Sequence, residues 1–411
     1  MSADTPPAVR EAAGIELVGY HDLGANPAFK LAMQRVDGRY YLYLSHFWRS
    51  GWSVVDVTDP TAPVLVRTVD GPPNTWTLQV QVADGLMVNA LERATPGWGY
   101  DPALTEKVGV LVWDVKTDPT DPKLLAHHDT TGRGTHRNYY AGGRYAYLAT
   151  EPEGFKGNIL SIVDLADPSA PAEVGRWWWP GQHVAGGEEP EHTHYLHGPA
   201  YVVGDLAYLS YGRIGLVVLD ISDKTAPTLV SRLSFGDLGS PLGVHSAIPY
   251  GDVVVVNSEA LAEGDKEGLP FTVAVDVADP AAPRIIGWFP TPYPSAGTGL
   301  ETYQEKGARH GPHNQHQWQY QDCLLHDDSR VYLTHFNGGL RVYDISTPLK
   351  PREIAYYVPE DPKERRGVKP VEALVTQFED VLVDDRGTIY CTDKNHGLFV
   401  LRLTDEAGSG H

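Results

Sequence analysis

VVDVTDPTAPVLV, residues 54–66, reads as a strand that stops at Asp56, a turn built from Thr, Asp and Pro, and a second strand starting at Val64. Asp and Pro stop a strand for different reasons. The carboxylate bonds the backbone two residues on, while proline fixes φ and removes a donor. The same pattern recurs as VWDVKTDPTDPKLL (112–125), IVDLADPSAPAEV (162–174), VLDISDKTAPTLV (218–230), AVDVADPAAPRII (274–286) and VYDISTPLKPREI (342–354). Its aspartates, Asp56, Asp114, Asp164, Asp220, Asp276 and Asp344, follow one another at intervals of 50 to 68 residues.

Working outward, a Tyr- and Val-rich strand precedes most copies, as in GRYYLYLSHF (38–47), GRYAYLATE (143–151), GDLAYLSYG (204–212), GDVVVVNSE (251–259) and SRVYLTHF (329–336). A further extended segment lies before each. Four strands per repeat of about 50 residues predict an all-β β-propeller of four-stranded antiparallel blades. The last unit, 376–406, supplies only three strands, with Arg402 at the repeat aspartate, whereas GIELVGYHDLG (14–24) resembles an outer strand with nothing before it. The expectation is therefore a seven-bladed propeller over 14–406, closed by the N-terminal strand completing the last blade. Residues 1–13 and 407–411 are read as tails.

Composition narrows the function classes. The chain has 411 residues, 42% of them hydrophobic and 21% charged, as a globular protein requires. Its net charge of −20 has the wrong sign for coating a nucleic-acid backbone or an anionic membrane, so neither partner is expected. No run of 18 apolar residues offers a membrane helix, and MSADTPPAVREAAG lacks a signal peptide's apolar core; a soluble, cytoplasmic protein is expected. Cys323 and Cys391 form no Cys-x-x-Cys motif and read as structural thiols.

The Val-x-Asp strand and its Asp-Pro turn resemble the LVIVD-repeat family of β-propellers, across nearly the whole chain. That resemblance implies the fold and leaves the chemistry open. GGLRVYDISTPLKPREI (338–354) is also similar to blades of the selenium-binding protein/methanethiol oxidase family, which implies copper-dependent thiol oxidation. The Cys-x-x-Cys of that family is missing here.

The 17 histidines cluster at the starts of inner strands. His136 (GTHRNYY), His197 (EHTHYLHGPAY) and His245 (LGVHSAIP) each precede the first turn of their unit by six or seven residues. ARHGPHNQHQWQYQ adds His310, His313 and His316, of which His316 is chosen as nearest the strand. His192 and His194 are alternatives to His197. The expected metal ligands are thus His136, His197, His245 and His316, since neutral imidazoles from adjacent blades suit a divalent first-row metal. Glu379, Glu259 and Glu151 are candidates to orient the rings. At the end of the second strand His46, Tyr211 and His335 share one repeat position, with Arg49 nearby. His46 and His335 are assigned proton transfer, Tyr211 and Arg49 substrate orientation, and Glu379 a catalytic role beside the metal.

GRWWWPG (175–181) either overhangs the funnel or packs between blades, and long insertions such as 92–107 and 259–270 are expected to lid the pocket. There is no GxSxG elbow, Walker loop, Rossmann fingerprint or HExxH. These features lead to a metal-dependent oxidoreductase, an oxidase or oxygenase, acting on a small aromatic or anionic organic substrate. Fe(II) is the expected metal, with copper or manganese next. The rivals are a metal-dependent lyase or hydrolase and a non-catalytic interaction scaffold.

Overall fold

The computed structural model of the chain describes residues 5–189, 195–236, 238–263, 266–268, 270–367 and 373–404; His192, His194 and His411 lie outside them. Among the described residues, helix is confined to three short 3-10 turns at Leu23–Ala25, Val184–Gly186 and Tyr303–Lys306. No helix there is long and apolar enough to cross a membrane.

Everything else of regular structure is antiparallel sheet. Ala28–Val36, Arg39–His46, Trp52–Asp56 and Val64–Val69 pair in sequence order as one four-stranded sheet. Ala200–Val203 to Thr228–Leu233 and Val244–Tyr250 to Arg284–Trp288 repeat that plan. A nine-stranded sheet between them contains two such runs, joined where Gly134 pairs with Glu92. The middle strands bury both faces and are Val- and Leu-rich, as in Leu216–Asp220. Outer strands alternate toward solvent, as Val64–Val69 does.

Both ends of the chain supply outer strands. Ile15–His21 pairs with Gly397–Leu403. Val9–Ala13, in the stretch expected to be a tail, pairs with Arg352–Pro359 as the fourth strand of the neighbouring sheet. Its Glu11 reaches the Tyr303 hydroxyl at 2.5 Å and the Ser295 backbone N–H at 2.7 Å, which fixes it in place.

The repeat aspartates act as the turn chemistry dictates. Asp56, Asp164, Asp220, Asp276 and Asp344 each accept the backbone N–H two residues on, at 2.8–3.1 Å, and Asp114 does the same toward Lys116 at 2.8 Å. These turns also lock one sheet to the next. A Cβ at Gly175 would stand 2.0 Å from the Lys224 carbonyl oxygen, and one at Gly19 2.2 Å from that of Pro60, so only glycine lets the turn of one unit rest on the outer strand of its neighbour. The first and last sheets touch side by side through the buried Lys30–Asp380 pair (2.9 Å), Thr392 Oγ1 to the Phe29 carbonyl (2.5 Å) and Tyr40 to Asp385 (2.8 Å).

Candidate functional site

Inner strands turn side chains inward by a shared device. In Gly134–Tyr139, Thr135 pairs with Thr150 and Arg137 with Ala149, leaving His136 as an extra bulged residue. His245 is the extra residue between Val244 and Ser246, and Glu379 between Phe378 and Asp380. Bulges re-aim single side chains without ending the sheet, and here one repeat position delivers two imidazoles and a carboxylate to one place. His197 and His313 precede regular pairing, held by equivalent backbone bonds: His197 N–H to Ser210 O (3.0 Å) and His313 N–H to Thr334 O (2.8 Å).

The four rings form an arc, with centroids 4.7 Å apart for His136–His197, 4.9 Å for His197–His245 and 4.8 Å for His245–His313. Glu259 stands inside it. Its Oε2 lies 3.1 Å from His197 Nε2 and 3.5 Å from His245 Nε2, and its Oε1 lies 3.6 Å from His313 Nε2. Arg309 clamps Oε1 at 2.9 Å, while Oε2 is buried and accepts no well-aligned hydrogen bond. Donor atoms of His197, His245 and Glu259 all fall within 4.8 Å of one another.

Carboxylates also engage the outer nitrogens. His136 Nδ1 meets Glu92 Oε2 at 2.7 Å, and His313 Nδ1 meets the Glu379 carbonyl at 2.7 Å and its carboxylate at 3.3 Å. Such partners fix the ring tautomer and leave Nε2 facing inward. Burial pushes His197 down to about 4, and His245 and His313 well below the ordinary range, so these three are neutral at pH 7. For Glu259, burial works to raise the pKa while contact with the His245, His197 and His313 rings lowers it, and at pH 7, where those rings are neutral, the Arg309 guanidinium at 2.9 Å keeps the carboxyl ionised. Arg137 donates to His245 Nε2 at 2.6 Å and to Asn314 Oδ1 at 3.0 Å.

The arc opens on a cavity of about 480 Å³, which Phe29, Phe47, Trp48, Trp76 and Trp98 also line. A side lobe of about 400 Å³ shares Glu92, Arg133, His136 and His197 and adds Glu151, Lys156 and Tyr195. The 92–107 insertion contributes Trp98, and the 259–270 insertion contributes Leu261 and Glu263.

Of the expected ligands, His136, His197 and His245 come together, and His316 does not. Its Nε2 meets the Leu325 carbonyl at 2.8 Å and its Nδ1 accepts Val383 N–H at 3.1 Å. His313 takes the place given to it. Counting back from the first turn of this unit reaches Gln321 or Asp322, and His316 is chosen only as the histidine nearest the strand. In this unit, however, the inner segment is irregular, with isolated bridges at His310–Phe336 and Gln315–Leu333, and the run to Arg330–Thr334 is long. Counting from the following strand, as the His197–Ser210 and His313–Thr334 bonds do, finds His313.

Among the expected catalytic residues, Glu379 lies at the arc and the others do not. His46 is buried against Ser53 at 2.9 Å. Tyr211 bonds Gln182 and accepts Trp179 N–H at 3.1 Å, which pins the 177–182 loop. His335 faces Tyr343 at 3.3 Å and lines a separate cavity of about 250 Å³ with His310. Arg49 bonds Asn26 and reaches Asp70 at 3.3 Å on the surface. The shared repeat position of His46, Tyr211 and His335 is real, each donating its N–H to the carbonyl of Gly51, Gly215 or Gly339, but their side chains engage partners away from the arc. Trp177 packs on Tyr211 and Trp179, and Trp178 on Phe155, so this cluster is structural.

The LVIVD repeat family matches residues 39–71, 135–177 and 201–234. No curated protein matches the chain. Among solved structures, the β-propeller domain of Cps50 (Swd1) from Myceliophteria thermophila is similar over 95% of this chain and all of that one, with 11% identity and a TM-score of 0.56. The periplasmic gluconolactonase PpgL of Pseudomonas aeruginosa is similar over 96% of this chain and all of that one, with 10% identity and a TM-score of 0.53. At such identity the likeness concerns fold alone. With its recurrent four-stranded sheets and Val-x-Asp turns, the chain is a β-propeller protein carrying LVIVD repeats.

Proposed function

We propose that the sheets form a ring of seven blades, closed by Ile15–His21 on the last one, and that the ring's mouth is the metal centre of an oxidoreductase acting on a small organic substrate. The pairing of Ile15–His21 with Gly397–Leu403 and the contact of first and last sheets support the closure. The observation that carries the metal reading is the meeting of Glu259 Oε2 with the Nε2 atoms of His197 and His245, at 3.1 and 3.5 Å, in a buried cluster whose three donor atoms all lie within 4.8 Å of one another. One ionised oxygen and two neutral imidazoles converging at that range offer a cation a ready donor set.

The donor set fits a first-row ion. His197, His245 and Glu259 would hold it, with His313 and His136 beside them, and Glu379 and Glu92 setting the two outer rings. Loading requires Arg137 to give up His245 Nε2 while it keeps Asn314. Bound Fe(II), with copper next through the 338–354 resemblance and then manganese, supplies a redox-active Lewis acid for use with dioxygen. The chain's own part is to keep the imidazoles neutral, to hold Glu259 ionised through Arg309, and to cover the substrate with the Trp98 loop.

Metal analysis of the purified protein tests this reading. About one equivalent of iron, copper or manganese is expected, as isolated or after anaerobic Fe(II) loading. Less than about a tenth of an equivalent after loading with each of the three overturns it. Oxygen consumption with bound substrate then separates an oxidase or oxygenase from a redox-neutral lyase or hydrolase.

A further inference from the structure

The main cavity has two walls of opposite chemistry, and together they define a substrate class. One wall is aromatic. Trp48 packs on Phe47, Trp98 and Trp76 with centroids 4.2, 4.3 and 4.5 Å apart, and Phe29 stacks on Phe47 at 4.6 Å. Trp48 has φ +56°, a left-handed conformation that costs a bulky residue about 1 kcal/mol or more. Its indole Nε1 is buried without a hydrogen-bond partner. A short loop that accepts both penalties to turn an indole inward is shaped for what the ring contacts.

Much of the rest of the lining is charged. Glu92, Glu259 and Glu263 line the cavity together with Arg133, Arg137 and Arg309. Three carboxylates and three guanidiniums balance. A divalent ion at Glu259 then leaves an excess of positive charge at the arc, which an anionic group on the substrate offsets.

Resting on the metal reading above, we propose that the substrate is an aromatic compound with an anionic oxygen group, an aryl carboxylate or phenolate. Its ring lies against Trp48, Trp76 and Trp98, and its anion points to Glu259 and the histidine arc. A cavity of about 480 Å³ is within the usual range for small-molecule sites. Indole faces favour a flat ring over an aliphatic one of equal size, and the excess positive charge favours an anion over a neutral alcohol.

Calorimetric titration of the Fe(II)-loaded, full-length protein under anaerobic conditions tests the proposal, with metal content measured on the same sample. The probes are benzoate, 4-hydroxybenzoate, 2-naphthoate, cyclohexanecarboxylate and 4-hydroxybenzyl alcohol. At least one aryl carboxylate is expected to bind about tenfold more tightly than both cyclohexanecarboxylate and the alcohol. Trp98→Leu, which keeps apolar volume on a surface loop, is expected to retain the metal and lose about three- to tenfold of the preference for the aromatic ring. Cyclohexanecarboxylate or the alcohol binding as well as the best aryl carboxylate overturns the substrate class, as does the absence of aryl binding below about 1 mM in loaded protein. Unchanged preference in Trp98→Leu overturns the aromatic wall's role. Protein that takes up no metal overturns the metal reading itself, and this inference with it.

Discussion

Glu259 Oε2 lies 3.1 Å from His197 Nε2, while Arg309 holds the other oxygen of the same carboxylate at 2.9 Å. One oxygen is thus fixed by a permanent cation and the other is presented to the histidine arc. Glu259→Gln keeps the shape and removes the charge. It is expected to lower metal affinity by at least about tenfold, as should His197→Ala, in a chelator competition, with the thermal unfolding curve little moved. Full metal retention in both variants would remove these residues from the ligand set.

Arg137 competes for the same ring system, because its guanidinium donates to His245 Nε2 at 2.6 Å. A fixed positive charge beside an incoming cation weakens it. Arg137→Gln is expected to tighten metal binding by about tenfold in the same competition assay. Weaker binding would show that Arg137 supports the loaded state instead.

The Lys30–Asp380 pair joins first and last sheets with both side chains almost wholly buried. Burial lowers the Lys30 pKa and raises that of Asp380, against the attraction between them. Lys30→Met leaves an unpaired buried carboxylate and is expected to cost about 3–5 kcal/mol in urea unfolding. Adding Asp380→Asn should recover part of that loss. A single variant as stable as the parent would show that this contact does not bind the ends of the array together.

The space at Gly175 is already taken by the Lys224 carbonyl. Gly175→Val is expected to destabilise the protein by about 1–3 kcal/mol, because turn and strand must separate. Equal unfolding midpoints would mean that neighbouring sheets adjust freely at this seam.

Four buried histidines outside the arc make stability depend on pH. Burial pushes His46 down to about 3, His310 and His316 to about 4, and His335 well below the ordinary value. The unfolded chain, with histidine pKa near 6.5, therefore binds more protons than the folded one between about pH 6.5 and 4. Stability falls as pH drops through that window, by up to roughly 1.4 kcal/mol per pH unit for each such histidine. Urea midpoints at pH 7, 6 and 5 measure the slope, and His46→Gln should flatten it by about one proton. A flat profile would contradict their neutral burial.

The sequence carried the repeating parts, because strand alternation, Asp-Pro turns and glycine positions are local chemistry repeated at a nearly fixed interval. It also placed His136, His197 and His245, since each sits at one register of an inner strand. Nearness to the strand, used where the counting reached Gln321 or Asp322 instead of a histidine, misplaced His316, because an irregular inner segment breaks the register there. The repeat register also gave His46, Tyr211 and His335 to a rim on which their rings turn into blade packing. Glu259 was visible only as a ring-orienting carboxylate, and Trp48, Trp76 and Trp98 were invisible as a wall.

Taken alone, then, the chain's order of residues settled the all-β repeat and which register faces inward, because those depend on neighbours within a few positions. Tertiary structure decided which histidine of three joins the arc, which carboxylate stands inside it, and which aromatic rings face it. Those choices depend on distances between residues from different sheets, such as His197 and Glu259, and no local periodicity encodes such a distance.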